Sequence, residues 1–162
     1  MVVVGIDPGI TGAVAIWRAG RICEVLDLPV SGGHVDPAIL ADMLEEHIGH
    51  DMPHVEVVLE LQGIMPGTAT HIASKTMRGY GRIEGVLAAL NVPVHPVTPS
   101  KWKRLTGTPK DKDGARARAS QLMPEAARFW PLKKHHGRAE AALLAYYGAA
   151  DVAADANRAE AA

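Results

Sequence analysis

The first twelve residues constrain the fold of this chain more than any other stretch. Residues 2–6 form a short apolar run rich in β-branched side chains, which is typical of a strand buried on both faces. Asp7 then places a charge where the apolar pattern predicts another core residue, and residues 8–12 turn the chain with a proline and two glycines. Burying an unpaired carboxylate is costly. Asp7 is therefore expected either to meet a partner, such as a metal ion, or to cap the turn with its own side chain.

A second apolar run ends in the same way. Residues 55–60 predict another buried strand, and its last residue is Glu60. Two adjacent parallel strands that end in Asp7 and Glu60 would bring both carboxylates to one edge of a sheet, at the carboxyl ends of the strands, where open α/β sheets form their sites. The repeated pattern therefore predicts a carboxylate site between these two strands.

The rest of the chain predicts an α/β fold. Two further strands are expected to continue the first one as an antiparallel meander, and the prolines of a final strand place it at a sheet edge. The helical segments follow from hydrophobic spacing, from caps and from turn residues. The expected strands cover residues 13–17, 21–28 and 92–97, and the expected longer helices cover residues 36–47, 71–90, 114–123 and 139–150.

The helical spacing also assigns core positions. Ile39 and Ile72 are expected on the buried sides of the first and second helices. Gly81 and Gly85 lie four residues apart on one face of the second helix. Because each glycine costs a helix about 1 kcal/mol relative to alanine, close packing against another element is expected to explain this pair.

Charge is distributed unevenly along the chain. The formal net charge is −1, yet residues 98–138 hold 11 of the 17 Lys and Arg and only 3 of the 18 acidic residues. This segment, the basic block, predicts a polyanion partner, since Lys and Arg neutralise phosphates; a solvated surface is the alternative. Its candidate DNA-binding residues are Lys101, Lys103, Arg104, Lys110, Lys112, Arg116 and Arg118. Lys75, Arg78 and Arg82 recur on one helix face and either extend this phosphate track or form a solvated face.

The last helix completes the candidate site. His136 and Glu140 are four residues apart and share a helix face. If this helix start meets the ends of the two strands, both residues converge with Asp7 and Glu60. Clustered carboxylates repel one another unless a cation neutralises them, and oxygen ligands favour Mg²⁺ or Mn²⁺. Two such ions roughly 4 Å apart can hold the attacking and leaving oxygens of a phosphodiester.

These motifs together resemble those of RuvC-type Holliday junction resolvases. The sequence Gly-Ile-Asp-Pro-Gly-x-Thr-Gly at residues 5–12 is similar to their opening, and residues 57–60 are similar to their second catalytic strand. Residues 81–86 resemble the glycine pattern of their long helix, and residues 101–118 resemble their basic junction-binding segment. Residues 140–145 look like their last helix. The resemblance covers about residues 2–148.

The resemblance implies an α/β fold of the RNase H-like class, a mixed five-stranded sheet flanked by helices. It implies a homodimer that nicks two strands of a four-way DNA junction with Mg²⁺, for which Mn²⁺ is expected to substitute, and with no nucleotide cofactor. It makes Asp7 and Glu60 metal ligands, with Glu140 in place of the usual Asp. These residues are then the catalytic centre.

The chain departs from the family pattern in one motif. The family usually has Asp, or in some members His, three residues before the last acid, and this chain has Gly137 there. His136 is the expected substitute, as a metal ligand or as a group that transfers a proton, and His135 is the second choice. The short chain and the changed motif look like phage-encoded members of the family.

Two further features are candidates for contact with the branch point. Gln62, Ile64 and Met65 follow Glu60, and the two apolar side chains are of the kind that wedges into distorted DNA; a plain dimer contact is the alternative. Trp102 is expected either to stack on a base or sugar or to have a core or dimer role.

Composition bounds the remaining choices. A chain of 162 residues with 48% hydrophobic content predicts one globular domain, assigned to residues 1–150, followed by an Ala-rich polar tail over 151–162. The single cysteine cannot form an internal disulfide, which favours a reducing compartment. With no apolar run of 18 residues and no signal peptide, we expect a cytoplasmic protein, in the host cytoplasm if it is phage-encoded, with no membrane partner.

Two other functions compete with a nuclease. An actin-like or sugar-kinase-type ATPase also begins its phosphate loop with Asp-x-Gly-x-Thr, but two such lobes need far more than 162 residues, and a second glycine loop is missing from the sequence. A catalytically silent junction-binding protein is the other alternative, because a fold does not guarantee a function.

Overall fold

A computed structural model describes residues 1–64 and 66–160 of the chain. Its strands are β1 (Val2–Ile6), β2 (Ala13–Arg18), β3 (Arg21–Asp27), β4 (Val30–Ser31), β5 (His34–Val35), β6 (Val55–Glu60) and β7 (Val94–Val97). Its α-helices are α1 (Pro37–Ile48), α2 (Thr70–Ala89), α3 (Pro99–Thr106), α4 (Lys112–Leu122) and α5 (His136–Glu160). Short 3₁₀ turns cover Gly49–His54, Pro124–Phe129 and Lys133–His135.

Five of the strands form one mixed sheet in the order β3-β2-β1-β6-β7. The first three strands are the predicted antiparallel meander, while β1, β6 and β7 run parallel. The proline-containing strand β7 lies at the edge, as predicted. In the parallel pair of β1 and β6, Ile6 lies beside Leu59, so the next residue of each strand, Asp7 and Glu60, follows at the same edge of the sheet.

Helices cover both faces of the sheet, which explains why β1 is buried along its whole length. Alternate residues of the strands point to opposite faces. Val3 and Val58 pack into a core with α4 and α5, while Val4 and Val57 pack into a core with α1 and α2. Two hydrophobic layers therefore hold the sheet from either side.

The last helix lies unusually close to the central strand. A Cβ atom added to Gly5 would lie only 2.2 Å from the carbonyl oxygen of Ala141 and 2.4 Å from the amide nitrogen of Ala145. Only a strand residue without a side chain allows this approach. The contact fixes the height of α5 over β1 one residue after Glu140.

Several helix details differ from the sequence prediction. The predicted core residues Ile39 and Ile72 are 53% and 50% exposed, because the buried sides of α1 and α2 are formed instead by other residues of each helix. Gly81 and Gly85 do not pack closely against another element of the same chain, since a Cβ added at either position would meet nothing within 4 Å among the described residues.

The connection between β3 and α1 contains the small hairpin of β4 and β5. The last helix is longer than expected at both ends, since α5 begins at His136 and continues to Glu160. Across the described residues, no helix combines the length and the apolar character that crossing a membrane requires.

Candidate active site

Asp7 sits in a tight turn directly after β1. Its backbone N–H donates to the carbonyl of Ala13 over 3.1 Å, and its Oδ1 accepts a hydrogen bond of 3.1 Å from the N–H of Gly9. A Cβ on Gly12 would lie 2.0 Å from the carbonyl oxygen of Asp7, so the turn closes only with glycine there. The Asp7 side chain therefore caps its own turn, as one of the two interpretations of the sequence predicted. The same hydrogen bond fixes the carboxylate at the edge of the sheet.

Glu60 is held by a tryptophan from the basic block. The indole Nε1 of Trp102 donates to Glu60 Oε2 over 2.6 Å. Trp102 is fully buried, which favours the predicted core role over stacking on DNA. Because buried indole N–H groups need an acceptor, this contact both satisfies the tryptophan and orients the carboxylate.

Glu140 is held by a lysine from the same block. Lys103 Nζ donates to Glu140 Oε1 over 2.7 Å, and the two side chains are only 17% and 15% exposed. The sequence assigned Lys103 to phosphate contacts, but in the structure its ammonium group is turned inward to a carboxylate. The helix α3 thus delivers two successive residues, Trp102 and Lys103, to two different carboxylates.

The three carboxylates share one electrostatic environment. The pKa of Asp7 is raised to about 7, chiefly because burial disfavours its charged form, and further by the negative charges of Glu140 and Glu60. The Gly9 hydrogen bond and the Lys103 ammonium oppose this rise in pKa. The pKa of Glu60 is raised by burial and by Glu140, against the hydrogen bond from Trp102 and the charge of Lys103. Strongly perturbed carboxylates in one cluster are a feature of functional sites.

The predicted histidine at the start of α5 has a lysine as its neighbour. The ring Nε2 of His136 lies 3.1 Å from Lys112 Nζ. The pKa of Asp7 is shifted by burial, by the Gly9 hydrogen bond and by the charges of Glu140, Glu60 and Lys103. The second choice, His135, accepts a hydrogen bond of 3.3 Å from the N–H of Leu132 through Nδ1 and so ties its own turn. A role of His136 at the metal stays a prediction.

The position of the missing family ligand is sterically closed. A Cβ on Gly137 would lie 2.2 Å from the carbonyl oxygen of Thr11 and 3.0 Å from the Cα of Gly12. These are backbone atoms of the turn that carries Asp7, so they cannot yield as a side chain would. The glycine is therefore required by the packing of α5 against this turn.

The chemistry of the donor set fits a hard divalent cation. Asp7, Glu60 and Glu140 offer carboxylate oxygens, which Mg²⁺ and Mn²⁺ prefer, and their mutual repulsion calls for positive charge. Lys103 supplies that charge in this arrangement. Within the described part of the chain, no three His, Cys, Asp or Glu side chains are grouped so that they hold one ion as they stand.

The other predicted DNA-binding residues surround this centre at different depths. Lys101, Arg104, Lys110 and Lys112 are exposed, as phosphate contacts must be, whereas Arg116 and Arg118 are partly buried. Arg118 donates to the carbonyl of Thr106 over 2.8 Å and so joins α4 to α3. Of the junction-centre candidates, Gln62 is partly buried and Ile64 is 42% exposed, and Met65 lies outside the described residues.

The sheet order, the parallel pair of β1 and β6 and the carboxylates at their ends define an RNase H-like fold. Among solved structures, Thermus thermophilus RuvC in complex with a Holliday junction substrate is similar with a TM-score of 0.64 and 20% identity, over 92% of this chain and 95% of that chain. A second Thermus thermophilus RuvC structure has a TM-score of 0.60 and 21% identity, over 92% and 95% of the two chains. The yeast mitochondrial Holliday junction resolvase Ydc2 has a TM-score of 0.51 and 22% identity, over 90% of this chain and 76% of that chain.

These likenesses confirm the RuvC-type, RNase H-like architecture that the motifs indicated. No family model matches the chain, and no curated protein sequence matches it either. The likeness to these solved structures is therefore a likeness of fold.

Proposed function

We propose that this chain is a metal-dependent endonuclease that binds branched DNA and resolves four-way junctions by paired nicks. The observation that carries the proposal is the cluster of Asp7, Glu60 and Glu140 at one sheet edge, with the pKa of Asp7 raised to about 7. The likeness to a RuvC bound to a Holliday junction and to a second resolvase supports the choice of substrate.

Asp7, Glu60 and Glu140 are the residues that would hold Mg²⁺, with Mn²⁺ able to replace it. When bound, divalent ions supply an activated water and neutralise charge on a phosphodiester, and the sequence predicts two of them. The protein's own part is to orient the carboxylates through the Gly9 N–H and the Trp102 indole. Lys103 would contribute positive charge beside these carboxylates, since its ammonium group donates to Glu140 Oε1 over 2.7 Å.

The exposed cations of the basic block would contact the sugar-phosphate backbone. Lys101 and Arg104 belong to α3 and Lys112 to α4, both of which pack against α5, the helix that carries Glu140, and Lys110 lies in the turn between α3 and α4. Phosphate contacts of this kind position DNA without reading its sequence, and they make affinity depend on salt. The partly buried Arg118 would act indirectly, by joining α4 to α3.

Paired nicking needs two copies of the site, and we propose that α2 forms the interface of a homodimer. Met77, Gly81 and Gly85 follow one another at helical spacing on an exposed face, where neither glycine has a neighbour within 4 Å among the described residues. Small side chains at this spacing allow another helix to approach closely, which accounts for glycines that cost helix propensity. No nucleotide cofactor enters this proposal, and the cytoplasm, where DNA substrates occur, is its expected location.

A cleavage assay tests the proposal directly. The protein is incubated with end-labelled four-way junction, fork and plain duplex, each with EDTA, Mg²⁺ or Mn²⁺. We expect nicks at symmetric positions in the junction that require a divalent ion, with the plain duplex left intact. Junction binding without nicking in either metal would identify a silent junction-binding protein instead. Failure both to bind and to cut the junction would contradict the proposal altogether.

A further inference from the structure

A groove lies beside the Asp7 turn and is built from segments that do not belong to the basic block. It has a volume of about 410 Å³. Its walls come from the turn after β1, from the hairpin of β4 and β5, from Gln62 after β6 and from the first half of α2. The volume lies within the range of about 300–1,000 Å³ that is usual for sites that bind small organic groups. Pro8 and Gly9 line it, so it opens next to the candidate catalytic carboxylate.

The rim of the groove carries apolar side chains that the fold does not bury. Ile10 is 56% exposed and Ile72 is 50% exposed, and both line the groove. The sequence predicted Ile72 as a core residue, and its exposure at this point is the clearest departure of α2 from its hydrophobic pattern. Ile64, which is 42% exposed, comes from the chain that leads from β6 to α2. Apolar side chains placed next to a charged centre favour a ligand with a flat apolar part.

The same groove carries positive charge without acidic partners. Lys75 lines the groove, and Arg78 lies outside its lining but near enough to lower the pKa of His34. Neither takes part in an ion pair within the part of the chain that the structure describes. The Lys75 ammonium reaches the hairpin, since a Cβ added to Gly33 would lie 3.0 Å from its Nζ. Arg82 donates to the carbonyl of Val35 over 2.8 Å and so pins the hairpin to α2. Lys75 and Arg82 thus both reach the hairpin that forms one wall of the groove.

The pKa of His34 reflects the positive charges near this groove. Burial and the charges of Arg82, Lys75 and Arg78 all lower the pKa of His34, so the imidazole is neutral at pH 7. Its Nδ1 atom is buried without a hydrogen-bond partner. An anion or a nucleobase edge near the ring would supply what the protein does not.

We propose that this groove binds one unpaired nucleotide at the branch point of the DNA, with the base against Ile10 and Ile72 and a phosphate on Lys75. The proposal rests on the proposed function and deepens it. Base faces pack on flat or apolar surfaces while the backbone follows a positive groove, which is how single-stranded segments are bound without a sequence requirement. A fully paired duplex offers no free base, so the groove favours branched DNA over plain duplex.

Fluorescence of 2-aminopurine provides the test. This base analogue is placed next to the branch point of a synthetic four-way junction, and binding is followed in EDTA by its fluorescence and by anisotropy of a terminal dye. Lys75→Ala is expected to raise the Kd for the junction about tenfold and to reduce the salt slope by about one, while the Kd for plain duplex stays unchanged. Ile72→Ser is expected to remove the 2-aminopurine signal change with a smaller loss of affinity. Both side chains are exposed, so neither substitution threatens the fold.

Arg21→Ala is the matched control. It removes an exposed cation from the turn between β2 and β3, at the opposite end of these strands from Asp7, and should change neither signal. The groove assignment is overturned if Lys75→Ala and Ile72→Ser behave like Arg21→Ala while the wild-type protein binds and nicks the junction. Equal weakening of junction and duplex binding would also overturn it. If the wild-type protein neither binds nor nicks the junction, the proposed function itself fails.

Discussion

The strand ends and the start of the last helix contribute to the same centre, but they are positioned by different forces. Asp7 and Glu60 are placed by the hydrogen-bonded register of β1 and β6, in which Ile6 lies beside Leu59. Glu140 is placed by close contact of α5 with β1. In a pair of strands, the register fixes which residues lie side by side all along the pair, whereas a helix turns each successive side chain by about 100°. The position of a carboxylate at a strand end can therefore be predicted from the sequence pattern, whereas the position of a carboxylate on a helix depends on how that helix packs.

The largest expected effect concerns the charge of the strand-end carboxylate. The folded-state pKa of Asp7 is raised from 3.8 to about 7, so burying its charge costs stability above the unfolded-state pKa, and the cost grows until the pH passes about 7. We expect Asp7→Asn to be more stable than wild type in EDTA at pH 8, by up to about 4 kcal/mol, from about 1.4 kcal/mol for each pKa unit. At pH 5 the difference should be much smaller.

Thermal unfolding at the two pH values measures this difference. Adding Mg²⁺ at pH 8 should raise the Tm of the wild-type protein and leave that of Asp7→Asn nearly unchanged, since the variant lacks one charged ligand. A wild-type advantage over Asp7→Asn at pH 8 in EDTA would show that the carboxylate is stabilised by partners rather than penalised by burial.

Two glycine substitutions sharpen the comparison at the helix start. Gly137→Ala places a Cβ 2.2 Å from the Thr11 carbonyl oxygen, and we expect it to destabilise the protein by about 3 kcal/mol, the upper range for overpacking. Gly79→Ala makes the same chemical change within α2, where a Cβ meets nothing within 4 Å among the described residues. It should stabilise the protein by up to about 1 kcal/mol. Urea unfolding of both variants checks the opposite signs, and equal signs would mean that α5 can shift away from the turn.

The two kinds of lysine in the basic block provide the next test. Lys103→Met leaves the mostly buried Glu140 without its cation, and we expect a loss of about 2 kcal/mol, below the range for a fully buried pair because both side chains keep some exposure. Lys110→Met removes an exposed charge and should change stability by less than about 0.5 kcal/mol. Urea unfolding in EDTA compares them. Equal stabilities would place the Lys103 ammonium in solvent rather than on Glu140.

The smallest expected effect belongs to the histidines before Gly137. His136 meets Lys112 rather than a carboxylate, so we expect His136→Ala to slow junction nicking about tenfold, below the usual range of about 100-fold for a direct proton transfer. His135→Ala, which removes only a contact within its own turn, should nick like wild type. Single-turnover rates measure both. If His136→Ala keeps the wild-type rate at every pH, His136 has no role at the centre.

The same difference between local sequence pattern and packing decides which features could be predicted from the sequence. The meander, the edge strand and the pairing of Asp7 with Glu60 came from hydrophobic runs and turn residues, which act locally. The inward turn of Lys103 and the bond from Trp102 to Glu60 did not, because both depend on how α3 docks against the sheet. Trp102 itself was the available signal in the sequence for such a bond, since an indole N–H that becomes buried requires an acceptor.

The helix start shows the limit most clearly. Spacing predicted that His136 joins Glu140 at the site, and this stays a prediction. The close approach of Gly137 to the Thr11 carbonyl, in contrast, is a contact between backbones that no pattern of side chains reveals. The 50% exposure of Ile72 likewise departs from the helical spacing, because the buried side of α2 is formed by Tyr80, Ile83, Val86 and Leu87.

The most direct test of the central claim compares binding and nicking for two conservative variants. Asp7→Asn and Glu60→Gln remove charge with little change in shape, so both should bind a labelled four-way junction with the wild-type Kd or more tightly. Both should nick it at least about 100-fold more slowly in Mg²⁺, as expected for loss of a metal ligand at the centre. Circular dichroism spectra that match wild type complete the control. Nicking by either variant at the wild-type rate would contradict the assignment of these strand-end carboxylates as the catalytic centre.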